Sequence, residues 1–255
     1  MLLRQLLCVS LFCLLVVSPV RAEQAGDERS LIHEMRSLAS SICTNVLIFY
    51  NQSGSPFVER NRQSYQQSLL RLQSLSDRLG RPEVAEHVRA LSASIDSTSE
   101  LPQSGAALRA TSPGFTRWLL PVVEWHAQLQ SDLDVLYEAA ESNAEGKAKT
   151  DLRALSQSLN ELKVGYQIAA FSRLGAEQWV MSEEAVIEHD ENIVALFESL
   201  IADNPDKLQV LERSYRYYSF TRALLLDQTG NWAPNAVERF VVLAVADLDH
   251  LAAEL

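Results

Sequence analysis

Over residues 31–49 apolar side chains return at alternating intervals of three and four: Ile32, Met35, Ala39, Ile42, Val46 and Phe49, with Leu31, Leu38 and Cys43 widening the stripe. The interval matches the 3.6-residue turn of an α-helix, so one face of this segment calls for cover and the other for water. The pattern stops at Asn51-Gln52-Ser53-Gly54, where Ser55 offers an N-cap and Pro56 a first helical residue for the next helix. Along that second helix Val58, Tyr65, Leu72 and Leu79 recur every seven residues, with Leu69 and Leu75 between them. Two antiparallel helices joined by a short turn follow. Gly80-Arg81-Pro82 closes the second helix, and residues 83–95 read as a third.

Ser, Thr, Gly and Pro then crowd residues 96–113, a loop composition. A helix restarts at Ser112-Pro113, carries Trp118, Leu119, Val122, Leu129, Leu133 and Leu136 on one face, and is expected to kink or restart at Pro121. After the polar turn Ser142-Asn143-Ala144-Glu145-Gly146, Leu152, Leu155, Leu159, Leu162 and Tyr166 define another helix ending near Gly175. Three more are predicted over residues 176–202, 206–227 and 233–255, the last with Pro234 in its first turn. The fold class is therefore all-α, about seven antiparallel helices in an extended bundle or in two stacked helical subdomains. The domain reading is residues 1–22 as a leader, 23–98 and 113–255 as the subdomains, and 99–112 as the loop between them. A weak internal duplication is also expected, because Leu72, Leu75 and Leu79 match Ile193, Leu196 and Leu200 at an offset of 121.

Composition changes the picture mainly at the N-terminus. A short basic start with Arg4, an apolar run from Leu6, and Ser18-Pro19-Val20-Arg21-Ala22 form an export signal, with the mature chain expected from Glu23. The apolar run is shorter than the roughly 20 residues a bilayer-spanning helix needs. Cys13 lies inside that run, preceded by Leu11-Phe12 where a lipoprotein signal has small residues. No later segment holds 18 uninterrupted apolar residues, so no stable membrane insertion is expected after cleavage. Arginine outnumbers lysine 18 to 4, which together with the leader points to a bacterial periplasm, with secretion as the alternative.

The net charge is −11, and loss of Arg4 and Arg21 with the leader leaves 33 acidic against 20 basic side chains. That balance excludes nucleic acid as a partner, since binding it requires a basic face that displaces counterions. Cleavage would also remove Cys8 and Cys13 and leave Cys43 alone, which rules out an internal disulfide. Its position on an apolar stripe predicts a buried thiol.

The chain carries no paired Glu-x-x-His, no Cys-x-x-Cys-His, no Gly-x-Ser-x-Gly and no glycine-rich phosphate loop. No cofactor, metal site or catalytic constellation is therefore expected. What stands out is charge on apolar stripes. Glu183 and Asp190 share a stripe with Trp179, Val186, Ile193 and Phe197, and Arg222 shares one with Leu211, Tyr215, Tyr218 and Leu225. A buried charge must be paired or wetted, so either carboxylate with Arg222 is expected to form an internal ion pair or to line a polar pocket. His126 falls between Leu119 and Leu133 on a core-like stripe. Tyr215, Tyr217, Tyr218 and Phe220 surround their helix, so some of them must face away from its own core.

The candidate binding residues are thus Glu183, Asp190, Arg222, His126, Trp179, Tyr215, Tyr217 and Tyr218. The expected function is that of an exported, soluble, non-enzymatic factor with a protein partner, as a toxin neutraliser, an envelope assembly factor or a secretion accessory would be. The alternative is a helical sensor or carrier with a small-molecule pocket near Glu183, Asp190, Arg222 and His126.

Overall fold

The structure, a computed structural model, describes residues 28–51, 57–100, 115–140, 145–171, 176–227 and 232–255. The expected leader and the Ser55-Pro56 cap lie outside them. Among the described residues the chain is all-α, with eight helices and no strand. They are α1 (28–50), α2 (Glu59–Leu79), α3 (Pro82–Ser97), α4 (Leu120–Ala139), α5 (Lys147–Ala169), α6 (Glu183–Asp203), α7 (Leu208–Leu226) and α8 (Pro234–Glu254). None of them is long and apolar enough to cross a membrane.

Local chemistry sets the ends. Gly80 adopts φ 65° and its N–H caps the Ser76 carbonyl, the left-handed stop that a Cβ would strain. Pro121 sits in the first turn of α4, preceded by a π-helical turn, Phe115–Leu119. The chain restarts there because proline has no N–H to give the preceding turn. Two predicted starts move. α2 begins at Glu59, since Phe57 turns back at φ 61° and its ring packs edge-on to Phe49 and Tyr50. α6 begins at Glu183, because the Ser182 hydroxyl accepts the Ala185 N–H at 3.2 Å and caps the helix there.

Two apolar cores form. One gathers α1 to α4 around Met35, Ile42, Leu72, Leu91, Val122 and Leu129, and the other gathers α5 to α8 around Leu155, Leu162, Phe197, Leu211, Val241 and Leu248. The expected break at 99–112 does not divide them. α4 belongs with the first three helices, so the packing changes hands between α4 and α5, and the end of α5 joins the first core through Val164, Ile168 and Phe171.

Each half therefore repeats one order of four helices, and successive neighbours run antiparallel. Glu34 meets Arg71 and Phe49 meets Tyr65, Lys147 meets Asp203 and Glu161 meets His189, Asp190 meets Arg222 and Phe197 meets Tyr215, and Arg213 meets Asp247 and Phe220 meets Phe240, so in each of these helix pairs one residue number falls as the other rises. Leu72, Leu75, Ile193 and Leu200 are buried and Leu79 and Leu196 half-buried, so the matched leucine positions serve the same role in both halves. One pair departs from the antiparallel rule. Arg153 donates to the Ser30 hydroxyl at 2.5 Å and Asn160 to that of Ser37 at 3.3 Å. The same seven-residue step on both helices makes α1 and α5 parallel, as an even number of helices per half requires.

Cys43 lies at the centre of α1 with none of its surface exposed. Burial pushes its thiol up to about 12, against the opposing charge of Lys163. Since the thiolate is the reactive form, peptide mapping should find Cys43 unmodified after maleimide treatment of the native protein at neutral pH and modified after unfolding in guanidinium. Labelling of Cys43 in the native protein would contradict this packing.

Candidate functional site

Of the predicted charges on apolar stripes, Asp190 and Arg222 meet and Glu183 does not. Asp190 is buried on α6 and receives a bidentate pair from Arg222 of α7, Nε at 2.7 Å and Nη2 at 2.6 Å, plus the Tyr218 hydroxyl. Burial pushes its carboxyl up, but the hydrogen bonds from Arg222 and Tyr218 and the charge of Arg222 outweigh it and hold Asp190 below the ordinary range. Every oxygen is satisfied, so this is an ion pair that fixes α6 against α7. The Ser182 cap places Glu183 in the exposed first turn of α6, where the helix dipole favours an acid. Trp179 lies in a separate 3-10 turn, Glu177–Trp179, off the α6 stripe altogether.

His126 and Trp179 do come together. They line a cavity of about 210 Å³ between α1, α4 and α5, with Gln130, Gln157 and Met181. Gly165 on the cavity floor allows this closure, since a Cβ there would collide with the Met181 sulfur. The Trp179 indole N–H and the side-chain carbonyls of Gln130 and Gln157 are buried without a hydrogen-bond partner among the described residues. His126 is desolvated and faces the Lys163 charge, and the two effects lower its pKa to about 4. It is a neutral imidazole on the edge of the first core, with Gln130 at 3.4 Å from its Nε2.

The densest polar chemistry lies where α1, α5 and α8 meet, and its residues carry no mark in an apolar-stripe reading. Lys163 is 1 % exposed and its ammonium lies 3.3 Å from Glu238. The other Glu238 oxygen accepts from Asn45 at 2.8 Å, so one carboxylate ties α5, α8 and α1 together. Toward the start of α1, His33 meets Asp249 at 2.9 Å, and Arg29 and Arg153 both approach Glu145. The available signal was composition. Between residues 164 and 171 α5 and its extension hold no charge on any face, the mark of a helix covered all round.

The tyrosines of α7 divide between two faces. Tyr218 is fully buried and stacks on Phe197, and Tyr215 packs on the same ring at 5.1 Å. Tyr217 is half-buried against the edge of the second core, with its ring 6.2 Å from that of Phe240 of α8, which in turn lies 4.5 Å from the ring of Phe220. Phe220 is 64 % exposed and Leu243 is exposed beside them. Arg216 and Arg239 are exposed on the same helices, Arg239 over the Phe240 ring. Among the described residues no group of three His, Cys, Asp or Glu side chains is placed to hold a metal. Comparison with protein-family models, with curated proteins and with solved structures finds no match to this chain.

Two stability measurements check these assignments. Asp190→Ala should cost about 3 kcal/mol in urea denaturation, because it leaves the Tyr218 hydroxyl without an acceptor; the low end of the range applies because Arg222 is 43 % exposed and water screens it. A loss below about 1 kcal/mol would show that the pair is dispensable. For His126, the unfolded ring titrates near 6.5 and the folded ring near 4, so the unfolded chain takes up the proton first as pH falls. The neutral ring's contribution is complete above 6.5 and is lost down to about 4, roughly 3 kcal/mol in all. Urea midpoints measured across that window should fall less steeply for His126→Gln than for the parent; equal slopes would reject the assignment.

Proposed function

We propose that this protein is an exported, periplasmic, non-enzymatic binding protein that engages another protein through the outer face of α7 and α8. One observation carries the reading: Phe220 stands 64 % exposed on the Phe240 ring, with Tyr217 and Leu243 beside it. Large aromatics in contact with water forgo the stabilisation of burial, and a contiguous apolar group rimmed by polar side chains marks an interaction surface. Aromatic and arginine side chains are the types that dominate interface energetics, and Arg216 and Arg239 frame this cluster.

The charge pattern defines the partner. In a chain of net charge −11 these two exposed arginines offer cations where most of the surface would repel an acid. The complementary surface has an apolar anchor that fits over Phe220 and carboxylates that reach Arg216 and Arg239. Export and the acidic balance support the periplasmic assignment, where an acidic surface also favours solubility.

Site-specific photo-crosslinking tests the face directly. A benzophenone amino acid in place of Phe220 should give one discrete adduct with an envelope protein, and Arg239→Glu should weaken it. The same probe in place of Leu70, which is 69 % exposed on the opposite half, should give none. Phe220→Ala should change stability by less than about 0.5 kcal/mol, as exposed positions do. No adduct at Phe220, or an equal one at Leu70, would refute the assignment of this face.

A further inference from the structure

Between α1, α5 and α8 a groove of about 530 Å³ opens along the junction of the two halves, within the size range of small-molecule sites. One wall carries Lys163, Asn160, Ser37 and Ser41, and Leu38, Val242, Val245 and Ala246 form apolar walls beside them. We propose that this groove binds a small organic carboxylate, with the anionic head on Lys163 and Asn160 and the hydrocarbon part along the apolar walls.

The charge arrangement selects the sign of the ligand. An ammonium has three donors, and Glu238 occupies one side of Lys163 while its own second oxygen is held by Asn45. Lys163 itself lines the groove, where a ligand can take up its remaining donors. Further along it, Arg153 shares the single carboxylate of Glu145 with Arg29, so two guanidiniums face one anion. Lys149 adds another cation to the wall. The two acids on the lining are already engaged, Glu34 by Arg71 at 2.8 Å and Asp249 by His33 at 2.9 Å. Three cations thus line the groove against two acids that already hold partners, and its walls reward a ligand that is apolar beyond its charged head.

Burying a lysine also calls for a reason, since an apolar pair in place of Lys163 and Glu238 would stabilise the junction as well or better. A carboxylate held by a charge-assisted hydrogen bond supplies one. The neighbouring cavity lined by His126 and Trp179, at about 210 Å³, has no lysine or arginine on its lining and does not share this chemistry.

Isothermal titration of the full protein with acetate, butyrate, hexanoate and succinate tests the site, with inorganic phosphate and butylamine as probes of charge alone. Saturable binding of at least one carboxylate is expected, with phosphate and butylamine inert. Ala246→Phe fills the groove from an exposed position of α8 while leaving the Lys163 pair intact, and should weaken binding by roughly tenfold or more. The paired change Lys163→Gln with Glu238→Gln removes the charge without stranding a partner and should do the same. Circular dichroism confirms that each variant is folded. Absence of saturable carboxylate binding by the folded parent, phosphate binding in its place, or carboxylate binding that survives Ala246→Phe would each overturn the proposal.

Discussion

The structure depends on covering two helices from every side. Most helices of a small bundle bury one stripe and wet the other, and α2, α3, α6 and α7 do so. α1 and α5 cannot, because each is a member of its own four-helix half and also half of the seam between the halves. Along that seam the contacts are hydrogen-bonded and charged: Arg153 with Ser30, Asn160 with Ser37, Lys163 with Glu238, and Glu238 with Asn45. Directional contacts of this kind add little net stability, but breaking one strands a buried partner, and that penalty disfavours every other register. The two apolar cores hold each half together, the first also reaching the end of α5 through Val164, Ile168 and Phe171, and the polar contacts of the seam set the register in which the halves meet.

α8 is where this arrangement reaches the surface. Its inner side supplies Val237, Val241 and Leu248 to the second core, and one edge supplies Glu238 and Asp249 to the seam. Another edge supplies Phe240 and Leu243 to the exposed aromatic cluster. A single rigid helix thus links the groove to the proposed recognition face. A shift of α8 along α1, of the kind the His33–Asp249 and Asn45–Glu238 contacts would resist, would carry Phe240 with it.

How far the sequence could be read follows from what each helix touches. Leu72, Leu75, Ile193 and Phe197 lie on helices with one wet face, so their period revealed both the element and its buried side. The Asp190–Arg222 pair was legible for the same reason: it joins consecutive helices, and each charge interrupted a clear apolar stripe. Arg153, Asn160 and Gln167 recur at sevens on α5 opposite the leucine stripe, and a polar row opposite an apolar one reads as solvent. Only the pairing of distant halves turns that row inward. Glu183 differs for a more local reason, since the Ser182 cap starts α6 at that residue and leaves it in an exposed first turn, at the open end of the stripe it shares with Val186 and Asp190.

The two buried ion pairs of this protein therefore have different physical meanings. Asp190 has both oxygens filled by Arg222 and Tyr218, and Arg222 extends its guanidinium to water. The carboxylate has no oxygen left to recognise a ligand, the spare guanidinium donors of Arg222 face open water, and the effect of the pair is to hold α6 against α7. Lys163 has a single carboxylate, shared with an asparagine, and lies beside a cavity with further cations on its wall. The distinction rests on where the spare donors lie, in open water for Arg222 and beside a groove for Lys163, since both pairs are buried on at least one side. A carboxylate that is fully matched, with its partner's spare donors in bulk water, holds helices in place, whereas a cation with donors to spare beside a cavity is available for binding.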